Sequence, residues 1–129
     1  MTPNIRIHDT LSRKKIDLQP LVAGKVGLYV CGPTVYDFLH VGNGRTFISF
    51  DLVARHLRAR GFDVNYVRNL TDVDDKIINR AREVGEDPAA LTERFIAEFH
   101  RDADALCLLP PTHEPRVTDN IDHIITLCQ

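Results

Sequence analysis

The stretch that decides the fold is Gly27-Leu28-Tyr29-Val30-Cys31-Gly32-Pro33-Thr34-Val35-Tyr36-Asp37-Phe38-Leu39-His40-Val41-Gly42-Asn43-Gly44-Arg45-Thr46-Phe47. It opens with a short β-prone run, Gly27 to Cys31, which stops at Gly32-Pro33. A buried strand ending in a turn fits that pattern. Beyond Gly42 and Gly44, the residues Phe47, Phe50, Ala54 and Leu57 recur at helical spacing, and Gly61 is a natural stop. Asp63 to Arg68, with Val64, Tyr66 and Val67, reads as a second strand. Strand, helix, strand in this order predicts a right-handed β-α-β unit with a parallel sheet. Ligands of such sheets bind beyond the carboxyl ends of the strands. Two segments lie there, Cys31 to Asn43 and Asn69 to Thr71.

Downstream, Thr71-Asp72-Val73-Asp74-Asp75 opens another helix, with Thr71 as its cap and aspartates suited to the positive end of the dipole. Val73, Ile77, Ala81 and Val84 mark its buried face, and Gly85 closes it. Asp87-Pro88 starts the next helix, with Leu91, Phe95, Phe99 and Leu106 as its stripe. Pro110-Pro111 breaks the chain, and a last helix is predicted from about Pro115, with Val117, Ile121, Ile124, Ile125 and Cys128 on one side. It reaches Gln129 without a capping signal, so an interruption is expected there rather than a natural finish. Upstream, Ile5 to His8 and Ile16 to Leu18 suggest a small hairpin within 5–18, turning at Arg13-Lys14-Lys15.

Composition narrows the function classes. With 43% hydrophobic and 26% charged residues, the 129-residue chain can bury one core. A net charge of -2 does not advertise a nucleic-acid surface, so an RNA partner would need a local basic patch. Met1 to Thr10 has no apolar signal-peptide core. No apolar run approaches the roughly 20 residues that span a bilayer. Cys31, Cys107 and Cys128 are far apart and form no Cys-x-x-Cys pair, which indicates neither a disulfide framework nor a complete local zinc site. A reducing cytoplasm is the simple reading.

The chemistry concentrates in Cys31 to Thr46. Backbone N–H groups at a helix N-terminus attract phosphate, glycines allow close approach, and His40 and Asn43 can donate to anionic oxygens. A turn whose glycines serve only geometry, with an exposed histidine, is the plainer alternative. Asp72, Asp74 and Asp75 could suggest a metal cluster, but an acidic first helical turn explains them more simply.

The string His40-Val41-Gly42-Asn43 resembles the His-Ile-Gly-His signature of class I aminoacyl-tRNA synthetases. Tyr29 to Asp37 is similar to the cysteinyl members of that class. So is Tyr66-Val67-Arg68-Asn69-Leu70-Thr71-Asp72-Val73-Asp74-Asp75-Lys76-Ile77, and the similarity extends through Glu114-Pro115-Arg116. The resemblance implies an α/β fold, the first half of a Rossmann-like parallel-sheet nucleotide-binding domain with C-terminal helices over 88–129. It implies ATP-dependent activation of cysteine and its transfer to tRNA(Cys). It places His40 and Asn43 on the phosphates and Gly42 beneath the adenine. Gly32, Pro33, Thr34, Thr46, Asn69, Leu70 and Thr71 match positions that line the substrate pocket. Cys31 matches one of four zinc ligands, and a thiolate-selecting metal suits a cysteine substrate. By itself Cys31 reads better as a small buried residue at a strand end, because no partner ligands accompany it.

The family usually has histidine where this chain has Asn43, which keeps an amide donor but loses the imidazole. Two rivals remain at this level. One is a ligase joining cysteine to an aminosugar-inositol in mycothiol synthesis, which shares the Cys31 and His40 neighbourhoods. Thr34 to Asp37 and Asp75-Lys76-Ile77 favour the tRNA enzyme over it. The other is a non-catalytic nucleotide-binding module. A parallel sheet cut midway also predicts an unpaired edge and self-association.

Overall fold

The computed structural model describes residues 5–129. Met1 to Asn4, the start of the stretch read as lacking a signal-peptide core, lie outside the described residues. The expected hairpin forms from β1 (Arg6–Asp9) and β2 (Lys14–Asp17), antiparallel, with Arg6 opposite Asp17. Its turn falls earlier than Arg13-Lys14-Lys15. The Asp9 carboxylate accepts from the Ser12 N–H at 2.7 Å and Arg13 takes φ 55°, so the reversal is complete before Lys14.

β3 (Lys25–Val30) and β4 (Asp63–Arg68) pair in parallel, Lys25 with Asp63 through Val30 with Arg68. Between them runs α1 (Val41–Ala59), which buries Phe47, Asp51, Ala54 and Leu57. Phe50, expected on that face, is 38% exposed. The inward position beside it goes to Asp51, whose carboxylate accepts from the Leu109 N–H at 2.8 Å and from Arg55 Nε at 2.7 Å. Gly61 follows the helix at φ +87°, a conformation that side chains resist.

α2 (Asp75–Val84) begins later than Thr71 suggested, and its cap is Asp74, which accepts from the Lys76 N–H at 2.8 Å. Thr71 is unavailable because its backbone continues the strand pairing. Its N–H donates to the Pro33 carbonyl at 3.0 Å, and its carbonyl accepts from the Val35 N–H at 3.1 Å. The late start rotates the buried face: Ile77 and Ala81 are buried, whereas Val73 and Val84 are 46% and 42% exposed. Gly85 closes the helix at φ +70°. α3 (Pro88–Ala105) is capped by Asp87, which accepts from Ala89 and Ala90, and it packs against α2. Leu91, Phe95, Ile96 and Phe99 carry its stripe into the core, while Leu106 lies past its end and stays exposed.

The predicted helical run over 88–129 is interrupted. Beyond Leu106 the chain turns at Cys107 (φ 54°) and runs extended along the free side of β4. Arg68 and Leu70 N–H groups donate to the His113 and Pro115 carbonyls at 3.1 and 2.9 Å, and the Val117 N–H returns to Leu70 at 3.2 Å. A helix from Pro115 would forfeit these bonds. Instead a 3₁₀ turn (Thr118–Asn120) leads into α4 (Ile121–Cys128), none of whose residues is buried. β4 is thus flanked on both sides, and the edge expected to be bare is that of β3 alone among the described residues. Tyr66, Leu70, Ile77, Leu91 and Val35 centre the core, each worth about 1.5–3 kcal/mol on burial for side chains of this size. Among the described residues no helix is long and apolar enough to cross a membrane.

Candidate functional site

The loops that follow β3 and β4 are zipped together. The Gly32 N–H donates to Asn69 Oδ1 at 3.0 Å, and Asn69 Nδ2 donates to Thr71 Oγ1 at 3.2 Å. Thr34 and Thr71 form a parallel bridge just beyond. A Cβ added at Gly32 would lie 1.6 Å from the Asn69 carbonyl oxygen, so glycine is required there by backbone against backbone. Gly32, Asn69 and Thr71 therefore act as a brace beneath the following loop. Leu70 is 2% exposed, with its side chain in the core and its backbone bonded to Pro115 and Val117.

The brace delivers the chain to the N-terminus of α1, where His40 is the cap. Its Nδ1 accepts from the Gly42 N–H at 3.1 Å. That bond assigns the proton of the neutral ring to Nε2, which is left free to donate. Gly42 sits close beneath the ring: a Cβ there would be 3.2 Å from Nδ1. Thr46 Oγ1 donates back to the Gly42 carbonyl at 3.1 Å, within the helix. The first turn of α1 carries no acidic residue, and the nearest carboxylate lining the cavity before it is Asp37.

Pro33, Thr34, His40 and Asn43 line one polar cavity of about 200 Å³, together with Tyr36 and Lys76. Of the residues expected at the site, these four converge. Gly32, Asn69 and Thr71 brace, Gly42 and Thr46 lie in the helix behind, and Leu70 is core. Cys31 is exposed at the end of β3, its Sγ 3.8 Å from the Gly32 carbonyl oxygen. Larger hollows of about 750 and 670 Å³ flank the hairpin, and one of about 550 Å³ shares His40 but runs along α1 past Arg45 and Ile48 to Asp102 and Leu106 with a mostly apolar lining.

Lys76 and Tyr36 were not anticipated. Lys76 follows the Asp74 cap by two residues, and a correct helix start would have set it beside the strand ends. Its Nζ lies 5.9 Å from the Tyr36 ring centroid. The three aspartates separate in their duties. Asp72 accepts from the Thr118 N–H and hydroxyl, Asp74 caps α2, and Asp75 sits in the first turn. Arg68, too, carries no sequence signal beyond its place in the strand. It is 2% exposed, its guanidinium 4.7 and 5.5 Å from the Phe99 and Phe47 ring centroids. Glu114 Oε1 accepts from its Nε and Nη2 at 3.1 and 2.7 Å, and Glu114 Oε2 meets His100 Nε2 at 2.6 Å. Burial raises the Tyr66 hydroxyl pKa above its ordinary value, and the neighbouring Arg68 opposes that rise.

Residues 17–129 match the family model described as the catalytic domain of class I (C) tRNA synthetases. A protein named cysteine–tRNA ligase from Hahella chejuensis is 56% identical over 125 residues, 97% of this chain and 27% of the relative. One of the same name from Colwellia psychrerythraea is 58% identical over 125 residues, again 97% of this chain and 27% of the relative. One from Anaeromyxobacter dehalogenans is 57% identical over 124 residues, 96% of this chain and 26% of the relative. The chain thus spans about a quarter of the length of these curated relatives.

Proposed function

The chain belongs to the class I (C) tRNA synthetase catalytic-domain family, and from that premise we propose that it forms the phosphate-binding wall of an enzyme joining cysteine to tRNA(Cys). In the reaction, the cysteine carboxylate attacks the α-phosphorus of ATP and pyrophosphate leaves, giving cysteinyl-adenylate. A terminal ribose hydroxyl of tRNA then attacks the acyl carbon and AMP leaves. The convergence of Pro33, Thr34, His40 and Asn43 on one polar cavity at the N-terminus of α1 carries this reading. His40 Nε2–H and the Asn43 amide are donors for phosphate oxygens, and the cap bond from Gly42 holds the imidazole in the donating tautomer. Gly32, Asn69 and Thr71 contribute by fixing the loop, because donors must be in place before charge develops. Gly42 lets the His40 ring lie close against the first turn of α1, where a Cβ would stand 3.2 Å from Nδ1.

Zinc is a separate matter. Cys31 offers one thiolate, but among the described residues no group of three His, Cys, Asp or Glu side chains could hold a metal. A four-coordinate site at Cys31 would need donors that these residues do not supply. The exposed thiols of Cys31, Cys107 and Cys128 suit a reducing cytoplasm. The outer edge of β3, with Tyr29 63% exposed, suits self-association at moderate concentration.

Titration of the 129-residue chain with ATP, followed by backbone amide shifts, tests the site. Weak binding that perturbs His40, Gly42 and Asn43, and is lost in His40→Ala, is expected. Tight ATP binding unchanged in His40→Ala would place the site elsewhere. Cysteine-dependent ATP–pyrophosphate exchange by the 129-residue chain is expected to fall far below that of the full-length relatives.

A further inference from the structure

We infer that Lys76 supplies the cationic charge of the His40 cavity and contacts the phosphate chain of a nucleoside triphosphate there. The inference rests on the phosphate-binding reading of that cavity and names a residue to which no role has been given. Among the described residues lining the cavity, Lys76 is the one permanent cation; His40 donates as a neutral ring and Asn43 as an amide. Two neutral donors and a helix end recognise an anion, but a triphosphate carries several charges, and a mobile ammonium answers them as a point charge.

Four features place Lys76 for that task. It stands at the start of α2, and the Asp74 cap fixes its backbone through the 2.8 Å bond to its N–H. Its side chain is directed along the cavity wall, with Nζ near the face of Tyr36. Among the described residues Nζ makes no ion pair with a carboxylate. Asp37, on the same wall, directs Oδ1 at the Phe38 N–H at 2.9 Å. The Lys76 ammonium therefore rests on a ring that an arriving phosphate can displace at small cost, since an exposed cation–π contact is worth about 0.5–1 kcal/mol.

The test uses the 129-residue chain with three probes, ATP, inorganic tripolyphosphate and adenosine, followed by amide shifts at His40 and Asn43. Lys76→Met is expected to weaken ATP and tripolyphosphate roughly tenfold, with adenosine unchanged. It is also expected to flatten the dependence of ATP affinity on salt, which a merely structural role would not alter. Lys76→Arg should retain most of the affinity. In the Lys76→Met background, Asn43→His should recover part of it at pH 6 and less at pH 8, because imidazolium then restores a cation to the same wall. Equal ATP affinity and equal salt dependence in wild type and Lys76→Met, with His40 still responding, would overturn the Lys76 assignment while leaving the phosphate cavity in place. If ATP perturbs neither His40 nor Asn43 in the wild type, both readings fall together. Circular dichroism and thermal melting of each variant separate loss of binding from loss of fold.

Discussion

Replacing Glu114 by alanine should cost more stability than any other single polar truncation in this chain. The Arg68 side chain is 3% exposed and Glu114 is 19% exposed, with Nη2 to Oε1 at 2.7 Å. At that separation two unit charges attract by about 6 kcal/mol at an effective dielectric near 20, and most of this offsets their desolvation. Removing the carboxylate leaves the guanidinium between Phe47 and Phe99 without its counter-charge. Its Nη1 is buried and already has no hydrogen-bond partner. Breaking a buried pair in this way typically costs about 3–5 kcal/mol. Loss of the exposed His100 contact adds little. Arg68→Met should cost less, about 1–2 kcal/mol, because methionine fills the aromatic slot and Glu114 keeps His100 and some solvent. Urea denaturation of wild type, both single variants and the Arg68→Met/Glu114→Gln double variant reads these values directly. With a slope of about 1–3 kcal/mol/M, a 4 kcal/mol loss moves the midpoint by more than about 1 M. Hydrogen exchange at the Arg68 and Leu70 amides, which are bonded to His113 and Pro115, should accelerate in Glu114→Ala. The reasoning fails if Glu114→Ala costs under about 1 kcal/mol, or if Arg68→Met is the more damaging change.

Other expectations follow from the same packing. Gly32→Ala should destabilise by at least about 2 kcal/mol, because its Cβ would meet the Asn69 backbone at 1.6 Å; a melting temperature equal to wild type would contradict the brace. The raised pKa of Tyr66 means that above pH 10 the unfolded chain releases a proton which the folded chain retains, so stability should decline as pH rises from there. Tyr66→Phe should shallow that alkaline decline in pH-dependent denaturation, and an unchanged profile would assign it to other groups. Elemental analysis after dialysis should find the purified 129-residue chain without stoichiometric zinc, and one firmly held zinc per chain would show ligands beyond Cys31.

Features that depend on near neighbours in the chain are legible from the residues alone. Alternation and turn chemistry located Asp63 to Arg68, and the Asp87-Pro88 cap and the Gly85 stop follow from local backbone preference. The strand-helix-strand order made the sheet parallel, and the signature-like string put His40 at its carboxyl end. The tertiary structure decided everything that two distant segments negotiate. Thr71 looks like a cap until the Pro33 and Val35 backbones claim it for strand pairing, which hands the cap to Asp74 and brings Lys76 to the cavity. Asp51 displaces Phe50 from the inner face because the Leu109 N–H needs an acceptor. The stretch from Pro115 to Val117 looks like a helix start, yet it lies extended because Arg68 at the end of β4 and Leu70 just beyond it present unpaired backbone groups to residues 113–117. A buried arginine beside two phenylalanines has no signature in the chain, since its partner Glu114 is 46 residues away. Periodicity reports the face a helix would bury, but hydrogen-bond satisfaction across the fold chooses which backbone is free to be a helix.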